Sequence, residues 1–247
     1  MQIKNYEQDF KIRTQEMQRY KVVKSNELIQ KSRFNLSAQE QKIVLFLISR
    51  IKPTDKEFYY QDFSVAEFCS ICGIDSANGK NYKNIKNAIK SLSDKSVWVT
   101  KDGSEKLFRW ITEADVQIYS GTIRIKLQES MREHLLELQE HFTQYELAHA
   151  LGLKSQYSIR VYELLKSHEY KRRCEFEIVK LKKALSAENY TRFPDFKRKV
   201  LEVSKREINE ITDLMVEYNA VKDKRKYSSI EFTVRVKTPD EYMAIMR

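Results

Sequence analysis

Glycine and proline are scarce in this chain, at 5 and 3 of 247 residues. That leaves little for long flexible linkers and little for the glycine-rich loops that cradle phosphate groups. No stretch reaches the roughly 18–20 consecutive apolar residues that a membrane-spanning helix needs. Met1 to Lys24 is polar and charged, unlike the apolar segment of a secretory signal. Cysteine is rare as well. Cys69, Cys72 and Cys174 cannot all pair, which points to a reducing compartment and so to a soluble cytoplasmic protein.

The groups that carry chemistry are equally sparse. Gly73 to Asn81 has some look of a phosphate-binding loop. However, five residues separate Gly73 from Gly79, and Asn81 follows Lys80 where a magnesium-holding Ser or Thr is needed. The segment also follows an expected helix instead of a strand. Cys69 and Cys72 have zinc-ligand spacing, but no second pair of ligands lies nearby. The four histidines, His134, His141, His149 and His168, include no His-x-His pair. A tyrosine nuclease that nicks DNA needs such a cluster to hold the metal that polarises the scissile phosphate. The residues therefore read as a non-enzyme, with no metal and no cofactor.

What the chain does have is positive charge. It carries 45 Lys/Arg against 35 Asp/Glu, a net of +10, with a pI near 9.3. Such a balance favours a polyanionic partner. The 41% of hydrophobic residues are enough for real cores, and the length suits one or two domains.

The order of elements is of the α+β class. Residues 1–20 read as a partly ordered arm. A strand at Val22–Lys24 leads into a short helix near Ser25–Gln30. Ser37 and Glu40 form a capping box before the apolar run Ile43 to Ile51, a buried helix ended by Pro53. Phe58–Phe63 reads as a strand. Ser64 caps a helix over Val65–Ile71 closed by Gly73, and a basic helix spans Tyr82–Leu92. Strands are expected at Val97–Val99, Leu107–Ile111, Val116–Tyr119 and Thr122–Leu127, with Asp102-Gly103 and Ser120-Gly121 as turns. A long helix is expected over Glu129–Phe142, on which His134 and His141 share a face. Near Tyr145 to Lys154 a second unit begins. It has a helix from Ser155 or Ser158 with Tyr157, Val161, Leu164 and His168 on one face. A strand at Phe176–Ile178 and a small helix at Val179–Leu185 follow. Pro194 opens a long helix, and strands at Leu214–Tyr218 and Ile230–Val236 flank a basic tip. Both halves thus repeat the order of a winged helix, giving an arm (1–20) and tandem domains at 21–145 and 146–247.

Between Lys180 and Arg206 nine Lys/Arg face three Asp/Glu. Lys197, Arg198 and Lys199 occupy the first turns of the Pro194 helix, with Lys205 and Arg206 two turns on and Arg192 just before it. Cations near a helix N-terminus oppose the macrodipole. DNA phosphate would relieve that conflict, and recognition helices present their N-terminal residues to base edges. Lys222, Lys224, Arg225 and Lys226 would form a basic wing. In the first half, Lys80, Lys83, Lys86 and Lys90 fall on one helix face. Lysine without arginine suits phosphate contact better than base reading.

Three segments, in this order, carry a resemblance. They are Val22-Val23-Lys24-Ser25-Asn26-Glu27-Leu28 with Asn35-Leu36-Ser37 and Glu40-Gln41-Lys42; Ser158-Ile159-Arg160-Val161-Tyr162-Glu163-Leu164-Leu165; and Tyr190, Phe193 and Asp195-Phe196-Lys197-Arg198-Lys199-Val200-Leu201 with Glu207-Ile208-Asn209. Asp213 and Lys224-Arg225-Lys226 fit the strand and wing that follow. Over about residues 20–236 the chain resembles the theta-type plasmid replication initiators with two winged-helix domains. The resemblance implies binding to iterons, short direct repeats in double-stranded DNA at a plasmid origin. It places the main base contacts at Arg192, Lys197, Arg198 and Lys199. It implies a first domain that adds backbone contacts and forms the dimer interface. It further implies a monomer that initiates and a dimer that represses its own gene, with host helicase and chromosomal initiator as partners. The setting would be the bacterial nucleoid or plasmid. A winged-helix transcriptional repressor without an initiator role is the rival reading, and a rolling-circle nicking initiator a further one.

Overall fold

The computed structural model describes residues 15–52, 54–72, 79–117 and 120–245. Most of the expected arm, Pro53, Gly73 and the turn that follows it, Ile118 and Tyr119 lie outside these.

The first unit opens with β1 (Lys21–Ser25) and α1 (Asn26–Gln30). The Ser25 hydroxyl caps α1 by accepting from the Leu28 amide at 3.1 Å. After the two-residue strand β2 (Ser32–Arg33), α2 (Ala38–Ser49) begins on the expected capping box. The Ser37 amide donates to the Glu40 carboxylate at 2.6 Å, and the Glu40 amide donates to the Ser37 hydroxyl at 3.3 Å. Ile43 through Ile48 are all buried, so α2 is core on every side. β3 (Gln61–Ser64) runs into α3 (Val65–Ile71), where Glu67 completes a second box with Ser64. In α4 (Gly79–Ser93), Ile85, Ala88, Ile89 and Leu92 form the buried stripe at helical spacing.

Four strands follow: β4 (Ser96–Lys101), β5 (Ser104–Arg109), β6 (Ile111–Val116) and β7 (Thr122–Leu127). Asp102 and Gly103 both have positive φ, 48° and 77°, as a two-residue hairpin turn demands. The chain bends at Trp110, where the pattern had predicted one strand over Leu107–Ile111. The bend sends the buried Trp110 indole edge-on against Phe34 at 5.1 Å. The sheets order as β2-β4-β5 and β3-β7-β6. β3, the strand before α3, therefore pairs with β7, the far strand of the β6–β7 hairpin. That hairpin is the wing, and β4–β5 is an extra hairpin anchored by β2.

The helix expected over Glu129–Phe142 is not there. A single turn at Glu129–Met131 and the four-residue α5 (Arg132–Leu135) give way to extended backbone at Leu136 and positive φ at Glu137 (52°) and His141 (53°). β8 (Phe142–Glu146) then pairs antiparallel with β1. Thr143 and Tyr145 alternate inward with a period of two; of the expected helix only Phe142 enters this pairing, and 136–141 run as irregular backbone between α5 and β8. His134 and His141 consequently share no face. His134 is buried with its Nδ1 3.1 Å from the Ser25 hydroxyl, while His141 is exposed.

α6 (Leu147–Gly152) and α7 (Gln156–Lys166) follow, the latter capped by Ser155. α7 stops two residues before His168, and all of Ser158–Leu165 is buried. Then come β9 (Arg173–Glu177) and α8 (Ile178–Ala184); Ile178 starts the helix instead of ending the strand. The long helix runs over 193–211 in three parts: α9 (Phe193–Phe196) with Pro194 in its first turn, a π-helical turn (Lys197–Leu201), and α10 (Glu202–Ile211). β10 (Leu214–Asp223) and β11 (Lys226–Val236) extend further toward the tip than the pattern predicted. Their sheet orders as β10-β11-β9, which repeats β6-β7-β3 element for element. α11 (Pro239–Ile245) closes the chain.

A buried ionic cluster ties β1 and α1 to α7. Lys24 Nζ lies 2.6 Å from Glu163 Oε1, and both side chains are 2% exposed. Arg160 donates to Glu163 Oε2 at 3.3 Å and to the Ile29 carbonyl at 3.2 Å. Its guanidinium sits 4.3 Å over the Phe34 ring. Burial alone would raise the Glu163 carboxyl, but Lys24 and Arg160 outweigh it and hold the pKa below the ordinary glutamate value.

Candidate nucleic-acid interface

The 193–211 helix packs its Phe196, Val200, Leu201, Ser204 and Ile208 side inward. Its Lys197, Arg198 and Lys199 side faces solvent. The three cations occupy the π-helical turn. A turn bonded i to i+5 is wider than an α turn, so consecutive side chains diverge less in angle. Three neighbouring cations thereby point to one side while Phe196, Val200 and Leu201 all stay in the core. The macrodipole conflict is answered locally. Asp195 lies 3.1 Å from Arg198, and Glu202 lies 3.9 Å from Lys197. Both are exposed pairs on the helix surface, weak enough for a phosphate or base edge to replace.

The remaining predicted cations divide into two groups. Arg192, at the helix N-cap, is exposed, as are Lys199 and Arg206, and among the described residues none of the three has an ion-pair partner. Lys205 is half-buried and paired to Glu217 on β10, so its charge is spent inside the domain. Lys182 is also tied down. It donates to the Tyr190 carbonyl and stands 5.2 Å over the Phe196 ring. The expected basic wing is the end of the β10–β11 hairpin, with Lys224 and Arg225 forming a two-residue tip and Lys224 at φ 54°. Lys222, Lys224, Arg225 and Lys226 are all exposed.

Sequence reasoning passed over the residue that connects wing and helix. Tyr227, two residues beyond the tip, stacks on Phe193 with ring centroids 4.1 Å apart and planes 22° apart. Lys222 Nζ lies 4.9 Å from the Tyr227 centroid. The only signal in the sequence was an aromatic residue beside a basic run.

In the first unit, Lys83, Lys86 and Lys90 are exposed along α4, opposite its apolar stripe. Lys80 belongs to the same helix, but its side chain lies outside the described residues. The first wing has none of the second wing's charge. Residues 114–123 contain no Lys or Arg. At its base Arg124 forms a two-bond pair with Asp62, at 2.8 and 3.2 Å.

The other candidate chemistry resolves into packing. Cys69 and Cys72 are buried, with burial pushing the Cys72 thiol up to about 12. His149 is buried between the hydroxyls of Tyr162 (3.0 Å) and Tyr242 (2.8 Å), and burial lowers its pKa despite the Asp213 carboxylate nearby. His168 packs against Phe176. Among the described residues no group of three His, Cys, Asp or Glu side chains could hold a metal ion, and no helix is long and apolar enough to cross a membrane.

Two helix-strand-helix-helix-hairpin units with the same sheet order, each with a basic helix, define a tandem winged-helix protein. Family models agree on both units. The first, described as "Initiator Replication protein, WH1", matches residues 21–166, and the second, "Initiator Rep protein, WH2", matches residues 177–234. The chain belongs to this family of replication initiator proteins. A similar solved structure is that of the Pi initiator protein in complex with iteron DNA. It superposes with a TM-score of 0.74 at 21% identity, over 89% of this chain and 98% of that one.

Proposed function

We propose that this initiator starts the replication of a plasmid by binding iterons in double-stranded origin DNA. Residues 146–247 read sequence, and residues 21–145 grip the backbone and self-associate. The 193–211 helix enters the major groove with Arg192, Lys197, Arg198 and Lys199 on base edges and phosphates. The wing at Lys222–Lys226 follows the adjacent backbone. Lys83, Lys86 and Lys90 on α4, with Lys80 beside them, contact phosphates.

The observation that carries this reading is the set of exposed cations on one helix and one hairpin tip of the second domain, of which Arg192, Lys199 and the wing residues have no ion-pair partner among the described residues and Lys197 and Arg198 have only a single exposed contact each. A solvated surface needs no such asymmetry between two otherwise equivalent wings. The complex of the Pi initiator with iteron DNA supports the same assignment by analogy of fold. On this reading the protein works in the bacterial cytoplasm, on nucleoid or plasmid. It is a monomer in equilibrium with a dimer that represses its own gene, and host helicase and chromosomal initiator join it at the origin. It needs no metal or nucleotide and makes no cut.

Footprinting on the DNA flanking its own gene tests the core of this. Protection at regularly spaced direct repeats is expected, and supercoiled origin DNA incubated with Mg²⁺ should stay closed. Protection of a single operator without repeats would favour a repressor. Site-specific nicking abolished by one tyrosine substitution would favour a nuclease. Sedimentation of the full chain across a range of concentrations tests the self-association.

A further inference from the structure

The second wing is a long two-stranded ribbon, and such ribbons twist and flex unless something braces them. Its last inward aliphatic contacts are well short of the tip, since β10 becomes exposed from Lys222 onward and β11 is exposed through Ser228. Four like charges sit at that end, and their repulsion favours splaying. One contact at this end of the ribbon reaches back to the helix: the Phe193–Tyr227 stack.

The strand register explains how Tyr227 comes to be there. Along β10 the even-numbered residues Leu214 and Val216 are buried, and Tyr218 and Ala220 are half-buried, so this parity faces the helices. Val221 pairs with Ser229, yet Lys222 pairs with Tyr227, so Ser228 is the extra residue of a bulge. In an unbroken ladder Lys222 would oppose Ser228, and Tyr227 would oppose Asp223 on the outer face. The bulge moves Tyr227 to the face that carries the 193–211 helix, which is the usual work of a bulge that re-aims a side chain. There it meets Phe193, placed directly between Arg192 at the N-cap and Pro194 in the first turn. Tyr227 remains 43% exposed, more than a ring buried for the sake of the core would be. Lys222, its cross-strand partner, lies against the same ring.

We propose that Tyr227 is a positioning residue for DNA binding. Its stack on Phe193 fixes the wing to the N-terminus of the reading helix, so that helix and wing meet adjacent DNA surfaces as one preformed unit. This rests on the assignment of the 193–211 helix and wing to DNA. The free-energy gain is preorganisation: the wing does not have to be ordered on the DNA at the expense of affinity.

Three substitutions in the full-length chain, measured on iteron DNA, test it. Tyr227→Ala should bind about three- to tenfold more weakly, the size of a lost aromatic stack. Tyr227→Phe, which keeps the ring, should bind as the parent does. Phe193→Leu, which keeps the apolar contact without the stack, should reproduce the Tyr227→Ala loss. The double variant should be no weaker than either single one, because both remove the same contact. Hydroxyl-radical protection under the wing should fade in the two stack-breaking variants, while guanine-methylation interference in the major groove persists. A loss in Tyr227→Phe equal to that in Tyr227→Ala would assign the residue to direct contact through its hydroxyl and overturn the proposal. So would single losses that simply add. If instead Arg198→Ala binds iterons as the parent does, the assignment of the helix itself has failed, whatever Tyr227 does.

Discussion

The two domains have one topology and opposite wings. In each, one strand (β3 before α3, β9 before α8) pairs with the far strand of a hairpin, giving β6-β7-β3 and β10-β11-β9. The first wing has no cation over residues 114–123, whereas the second has four in five residues. The helices differ in the same sense. α4 exposes lysines along one face, while the 193–211 helix gathers Arg and Lys into a π-helical turn at its N-terminal end. Fold alone therefore does not assign a groove or a role. The assignment comes from which exposed cations the domain leaves unpaired or holds by no more than one exposed contact.

Both units work only while the fold holds, and the largest expected effect lies at the joint of β1 and α1 with α7. Glu163→Gln leaves Lys24 and Arg160 buried against each other without a carboxylate. Removing one partner of a buried ionic cluster costs about 3–5 kcal/mol, to be read as a lower midpoint in urea denaturation at unchanged slope. The same group predicts a pH dependence. Its folded pKa is depressed, so its stabilisation is complete above the ordinary glutamate pKa of about 4.3 and is lost as pH falls through the lower folded value. Glu163→Gln should flatten the acid limb of the stability curve. A variant as stable as the parent at neutral pH would show that the joint is held by α7's apolar contacts alone.

Next in size is the contrast between reading and gripping. Arg198→Ala should cost about 1–3 kcal/mol on the specific site and relax sequence preference. Lys86→Ala in α4 should instead weaken binding to all sequences alike and lower the salt slope by about one unit. Titrations of iteron and random duplexes at several salt concentrations separate the two. Equal losses of specificity in both variants would erase the distinction drawn between the helices.

Much of this was legible in the residues, because short-range chemistry governed it. The Ser37/Glu40 box, Pro194 opening its helix and the Asp102-Gly103 turn each rest on a few neighbouring atoms, and each stands where the pattern placed it. The expected helix over Glu129–Phe142 fails at its second half, where the chain must turn to bring Phe142–Glu146 onto β1, and pairing with a strand more than a hundred residues away leaves no local mark. The same limit hid the buried cluster of Lys24, Arg160 and Glu163: these residues stand in segments that carry the resemblance, but nothing local marks them as partners. The candidate interface was legible as a density of charge. Its internal bookkeeping was not: that Lys205 faces Glu217, or that Tyr227 faces Phe193, depends on strand register and one bulge.

The smallest expected effect is the sharpest check on the criterion of unpaired charge. Arg124 is an exposed arginine at the base of the first wing, so a count of surface cations would enrol it in DNA binding. In the structure it sits directly across from Asp62 in the β3–β7 register and shares two hydrogen bonds with it. The fork geometry of arginine on a carboxylate fixes the guanidinium against Asp62 and sets its charge against an equal one. A phosphate would have to displace Asp62 and leave a second anion nearby, so little counterion release is to be gained. Arg124→Ala should therefore leave the slope of log K against log salt unchanged, on both iteron and random DNA, under conditions where Lys86→Ala lowers it by about one unit. A matching drop for Arg124 would mean that the first wing does touch the backbone and that a two-bond pair within the fold does not keep a cation from DNA.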